Sequence, residues 1–206
     1  MEKLAIMGGT PVRDTQIYYG RQWIDEDDIK AVENVLRDRL ITCGPRVEGL
    51  EKKLCQVTGA QYAVAMSSGT AALHTACMAL GIGPGDEVIT TPMTFAASAN
   101  CARYCGASVV FADINPDTYN IDPIEIEKKI TPRTKAIIAV HFTGQSVEHD
   151  AIRALCDKYG IYLIEDAAHA IGTKYKGQPI GSIADITCFS FHPVKTVTSG
   201  EGGAAT

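Results

Sequence analysis

The sequence predicts an α/β fold, a three-layer α/β/α domain built around a mostly parallel sheet. Three observations predict it. Short β-branched runs alternate with amphipathic segments of helical length along most of the chain. The runs are close to continuously apolar, as strands covered on both faces are. Glycine and proline punctuate the boundaries between the two kinds of segment.

Two helices are expected before the alternation starts. Asp25 is placed to cap a helix whose apolar stripe runs Ile29, Val32, Leu36 and Leu40. A second helix carries Leu50, Leu54 and Val57 and stops at Gly59. The strands then read as Tyr62–Met66, Glu87–Thr91, Ser108–Ala112, Lys135–Val140, Ile161–Glu165 and Ile186–Ser190. Helices are expected between most of them, at Thr70–Leu80, Phe95–Cys105, Pro123–Ile130 and Glu148–Tyr159. Gly81, Gly106 and Gly160 follow helices, and Asp122-Pro123 opens one with a cap and a first-turn proline. The last residues, Gly202–Thr206, read as the start of a further strand, so the chain is expected to be a fragment.

Composition narrows the class. Of the 206 residues 46% are apolar and 21% charged, ordinary for a soluble domain with a substantial core. The net charge of -5, with no run of Lys and Arg longer than two, argues against nucleic acid as a partner. No stretch reaches the ~18 apolar residues of a membrane helix, and the N-terminus lacks the apolar core of an export signal. A cytoplasmic location is therefore expected, with the seven scattered cysteines reduced. Cys101 and Cys105 share a helix face, but no second ligand pair accompanies them and no metal is expected.

In open α/β sheets, ligands bind beyond the carboxyl ends of the strands. The residues expected there form one chemical set. Gly69, Thr70 and Ala71, after Ser67-Ser68, open a helix whose free N–H groups suit a phosphate monoester. Phe95 offers a face for stacking on a ring, and Asp166 a carboxylate for a protonated ring nitrogen. His169 follows Asp166 by three residues and is placed to face the same group. Ser190 ends the sixth strand, and Lys195 lies in an irregular Pro- and Gly-rich segment. A lysine that forms a Schiff base needs such partial desolvation. Each member taken singly has an ordinary reading too: a helix cap, a core aromatic, an N-cap carboxylate, a structural histidine, a solvated lysine. His141 is a weaker candidate, and His74 and His149 read as ordinary helix residues.

The chain resembles the DegT/DnrJ/EryC1/StrS sugar aminotransferases. The likeness runs through GGTPVR, IDEDDI, TCGPRV, SSGTAALH, GIGPGDEVITTPMTF, EDAAHAIG and SFHPVKTVTSGEGG, in order. It implies the large domain of the fold type I transferases that depend on pyridoxal 5'-phosphate (PLP), with the small C-terminal domain missing. By that likeness residues 1–24 are an N-terminal arm, and 25–206 a PLP-binding large domain incomplete at its C-terminal end. It implies Lys195 as the Schiff-base lysine and proton carrier, and Asp166 on the pyridine nitrogen. Gly69, Thr70, Ala71 and Ser190 then hold the phosphate, Phe95 stacks on the ring, and His169 sits near the ring hydroxyl. The expected partners are glutamate, a nucleotide-sugar substrate and a second subunit completing the active site of a homodimer. Within the family, YGRQWIDEDDI and FHPVK are most similar to the branch serving pseudaminic acid synthesis. That branch aminates C4 of a UDP-linked 4-keto-6-deoxy-N-acetylhexosamine. A dehydratase branch carries His where Lys195 stands here, so lysine favours amino transfer. Cys43 departs from the small hydroxyl residue of many relatives.

Overall fold

The computed structural model describes residues 3–206; the first two residues of the expected arm lie outside them. Residues 3–24 contain a single 3-10 turn, Ala5–Met7, and otherwise no regular structure. Two helices follow, α1 (Glu26–Arg37) and α2 (Pro45–Thr58). The alternation then runs β1 (Val64–Met66), α3 (Gly69–Ala79), β2 (Glu87–Thr90), α4 (Ala97–Tyr104) and β3 (Ser108–Phe111). It continues with α5 (Pro123–Glu127), β4 (Thr134–Val140), α6 (His149–Tyr159) and β5 (Tyr162–Asp166). A two-stranded hairpin, β6 (Lys174–Tyr175) with β7 (Gln178–Pro179), precedes β8 (Ile186–Ser190) and β9 (Gly203–Ala205).

Seven strands form one sheet in the order β1-β9-β8-β5-β4-β2-β3. From β8 to β3 every pairing is parallel. Strand β9 is antiparallel to both its neighbours, so β1 again runs with the majority. The carboxyl ends of β1, β8, β5, β4 and β2 therefore share one edge of the sheet.

The pleat sorts the core into two layers. Val88, Ala136, Ile138, Ile164 and Cys188 face α3 and α4, meeting Leu73, Cys77, Cys101 and Ala102. Their neighbours Ile89, Ile137, Ala139 and Leu163 face α5 and α6, meeting Ile126, Ile152 and Leu155. A third cluster joins Leu54 of α2 to Phe189, Ala204 and Ile180. Helices thus cover both faces, as the unbroken apolar strands require.

Several expectations needed correction; the helix expected at Pro123–Ile130 ends at Glu127, and the strand expected from Tyr62 starts at Val64. Helix α1 forms with a full capping box, Asp25 accepting from the N–H groups of Asp27 and Asp28 while Asp28 accepts from that of Asp25. It ends at Arg37, short of Leu40, and its stripe is not buried: Ile29, Val32 and Leu36 are 46%, 61% and 67% exposed. Helical periodicity shows that a face needs cover but not what supplies it. The helix expected at Phe95 starts at Ala97, which leaves Phe95 ahead of it. His149 is no ordinary helix residue, since it is buried at the first turn of α6.

What buries His149 is a charge on the far side of the sheet from Asp166. Glu165 is fully buried and accepts from the Thr187 hydroxyl at 2.8 Å. The Nε2 atoms of His141 and His149 both stand 3.3 Å from its Oε1. His141 Nδ1 accepts from the Val147 N–H at 3.2 Å, which fixes the ring proton on Nε2, facing Glu165. Burial pushes the Glu165 carboxyl up, but the two imidazoles and Thr187 outweigh it and hold the carboxyl well below the usual range. A carboxyl so depressed stabilises the fold above its unfolded pKa and loses that contribution as pH falls through the folded value. Glu165→Gln is expected to cost roughly 3–5 kcal/mol near neutral pH in urea unfolding, because it strips a buried cluster of its charge. The gap to the native chain should shrink as pH is lowered below about 4.5 toward 2.

Candidate active site

The shared carboxyl edge carries a cleft made of two adjoining cavities of about 380 and 390 Å³. Phe95, Asp166, Ala168 and Lys195 line both. Ser68, Gly69, Thr70 and Ser190 line the first alone; Thr94, His141, Phe142 and His169 line the second alone. The acid and the amine expected to serve one ring thus open into the same space.

At one end of the cleft, α3 begins. Ser68 is its N-cap, extended in backbone, and its hydroxyl accepts the Ala71 N–H at 3.1 Å. That cap engages the Ala71 donor, and Ala71 lines neither cavity. The N–H groups of Gly69 and Thr70 have no intrahelical acceptor by helix geometry, and the positive end of the helix dipole opens toward Ser190. Close packing sets this corner. A Cβ on Gly69 would lie 2.8 Å from the Ser190 Cβ, and one on Gly203 would lie 2.3 Å from the Ser68 carbonyl carbon. Only glycine at both positions lets the helix start sit against β8 and β9.

Along the floor stands Asp166, the last residue of β5. It is 6% exposed and accepts from the Ala168 N–H at 3.1 Å and from the Ser98 hydroxyl at 2.6 Å. Ser98, in the first turn of α4, was not legible as a site residue. Its only signal is a hydroxyl at a wholly buried position of an otherwise small, apolar helix face. Phe95 is 74% exposed on the cleft wall, which removes the core-aromatic reading.

Lys195 Nζ is 2.7 Å from His169 Nε2. An ammonium only donates, so Nε2 accepts and the ring proton sits on Nδ1. Burial, then the nearby lysine charge, lowers the His169 pKa against the opposing pull of Asp166, which favours the neutral ring. His169 lies on a turn and not one helical turn beyond Asp166, yet both reach the second cavity. The expected residues Gly69, Thr70, Phe95, Asp166, His169, Ser190 and Lys195 are brought together; Ala71 stands one residue inside the helix.

Fold and cleft together define the large-domain architecture of the aminotransferase fold. The chain belongs to the DegT/DnrJ/EryC1/StrS aminotransferase family, whose model matches residues 22–206. It is 48% identical over 188 residues to the spore coat polysaccharide biosynthesis protein SpsC of Bacillus subtilis (strain 168), covering 91% of this chain and 48% of that protein. Among solved structures it is similar to the PLP-form of Spr1654, a sugar aminotransferase of Streptococcus pneumoniae so far assigned only provisionally. That match has 39% identity and a TM-score of 0.90, covering 93% of this chain and 53% of the other. It is also similar to Helicobacter pylori PseC, an aminotransferase involved in pseudaminic acid biosynthesis, at 36% identity and a TM-score of 0.87, covering 93% and 52%. The chain spans about half the length of these relatives.

The glycine contacts predict a specific sensitivity. Gly203→Ala, although it adds one methyl, must push the α3 start away from β9, because the obstruction is backbone. A loss of about 1–3 kcal/mol is expected in denaturant unfolding, whereas the same change at Gly49, an interior position of α2 with open space around it, should stabilise by about 0.5–1 kcal/mol.

Proposed function

We propose that this chain is the cofactor-binding large domain of a PLP-dependent aminotransferase that moves an amino group from glutamate to a nucleotide-linked keto sugar. The observation that carries it is the single cleft shared by the Asp166 carboxylate and the Lys195 amine, with a helix N-terminus at one end. The residues fit the phosphorylated pyridine by chemistry. Gly69 and Thr70 N–H groups and the Ser190 hydroxyl suit its phosphate, Asp166 its ring nitrogen, and Phe95 one ring face. Ala71 contributes through the cap that orders the helix start.

Bound there, PLP supplies the electron sink that makes an amino acid's α-proton removable. The chain's residues do the rest. Lys195 would hold the cofactor through Nζ, and its free amine would serve as the base that moves the proton at the donor's α-carbon. His169, held neutral, takes an N–H from Lys195 and so orients the amine. Asp166 would keep a proton on the ring nitrogen through a charge-assisted contact. The same Lys195 amine would deliver the proton when the amino group passes to the keto sugar.

For the sugar, a groove of about 1030 Å³ opens between residues 20–24, α1 and the Lys195 loop. Arg21 and Trp23 line it, a guanidinium suited to a diphosphate and an aromatic face suited to a base. Within the nucleotide sugars, a UDP-linked 4-keto-6-deoxy-N-acetylhexosamine, on the pseudaminic acid route, is the substrate we favour. The likeness in YGRQWIDEDDI and FHPVK supports it, as does the PseC similarity. A homodimer, with residues 1–24 as an arm, is the assembly we favour, and the exposed apolar stripe of α1 and the exposed Tyr18, Tyr19 and Trp23 support it; the cytoplasm is the location we expect.

Borohydride reduction of the PLP-loaded chain, followed by peptide mapping, is expected to place the pyridoxyl tag on Lys195 alone. A tag elsewhere rejects the assignment. Lys195→Ala is expected to abolish the tag and to slow amino transfer by at least about 10²–10⁴-fold, the usual contribution of a positioned acid–base group. Assayed with glutamate, UDP-4-keto sugars should be aminated in preference to dTDP-3-keto sugars; the opposite order rejects the pseudaminic reading while leaving the cofactor chemistry intact.

A further inference from the structure

We propose that Ser98, backed by Thr94, is a positioning residue for Asp166 that reserves the free lone pairs of the carboxylate for the cofactor's ring nitrogen. The inference rests on the cofactor reading above and deepens it.

Ser98 is completely buried. Its oxygen stands 2.6 Å from Asp166 Oδ2, 2.7 Å from Thr94 Oγ1 and 3.2 Å from the Phe95 carbonyl. A hydroxyl has one proton to give. The carboxylate is the shortest contact and the charged acceptor, so the proton goes to Asp166. Thr94 then donates to Ser98, and the three groups form a chain polarised in one direction, Thr94 to Ser98 to Asp166. On the other carboxylate oxygen, Oδ1, the Ala168 N–H donates at 3.1 Å.

The two donors come from different elements, α4 and the turn after β5. Gripped through both oxygens, the carboxylate cannot rotate to satisfy itself elsewhere, and its unused lone pairs remain for the cleft it lines. Ser98 touches neither cavity, so it acts only through Asp166.

The test compares binding of PLP with that of its deaza analogue, in which carbon replaces the ring nitrogen. The native chain should bind PLP in preference. Ser98→Ala should cut that preference about tenfold, the scale of one charge-assisted hydrogen bond. Ser98→Thr, which keeps the hydroxyl, should retain it, and Thr94→Val should reduce it by less than Ser98→Ala does. A folded Ser98→Ala chain that loses affinity for both ligands equally, or for neither, overturns the inference, because a packing role does not distinguish ring nitrogen from carbon. If Ser98→Ala fails to fold in a thermal melt, Thr94→Val decides, and an unchanged preference overturns the inference. Failure of the cofactor reading itself shows differently, as a native chain that binds neither ligand or binds both alike.

Discussion

Two carboxyl groups at adjacent positions of one central strand, Glu165 and Asp166, must each find donors inside the molecule. Much of the surrounding architecture follows from that. The pleat sends them to opposite faces of the sheet, so neither can share the other's partners. On one face α6 and the end of β4 deliver two imidazoles and β8 a hydroxyl to Glu165. On the other, α4 delivers Ser98 and the turn after β5 an N–H to Asp166. Glu165 meets its partners, Thr187 and the two imidazoles, away from the cleft, whereas Asp166 keeps spare acceptor capacity and lines it. A buried acid with spare acceptor capacity at the edge of a cavity is a group waiting for a donor. The cluster around Glu165 also fixes the end of β4, and so the wall formed by His141 and Phe142.

The layered fold was legible because its strands are buried on both faces and their boundaries carry glycine and proline. The strand at Lys135–Val140 and the helix ending at Gly160 were placed to within a residue or so. The sheet order was not legible, because nothing local tells that β9 inserts between β1 and β8. That insertion matters: it brings Gly203 against Ser68 and seats the start of α3 beside Ser190. Most of the candidate site was legible from topology, since residues after parallel strands share an edge whatever the strand order. Ser98 was not. A serine inside a helix advertises nothing until its burial and its partner are known. His149 failed for the same reason, since its role depends on a carboxylate sixteen residues away on a different element.

The contact between Lys195 and His169 changes what the histidine is for. The family likeness implies a place beside the ring hydroxyl; the geometry gives His169 a bond to the amine as well. An imidazole nitrogen that carries no proton accepts an N–H from the lysine and so fixes where the amine points. Both residues line the second cavity, so the contact keeps the amine in the cleft beside Asp166.

The stripe of α1 is an apolar helical face left open, its three residues Ile29, Val32 and Leu36 all exposed. Its helix is made with care: a reciprocal cap, three acidic residues in the first turn and Arg37 in the last all favour its ends. Such local stabilisation is what a helix needs when little of its own chain packs on it. The stripe flanks the groove that also takes in Trp23, Arg21 and the Lys195 loop. Whatever covers Ile29 and Val32 therefore abuts the mouth through which a sugar would reach Lys195.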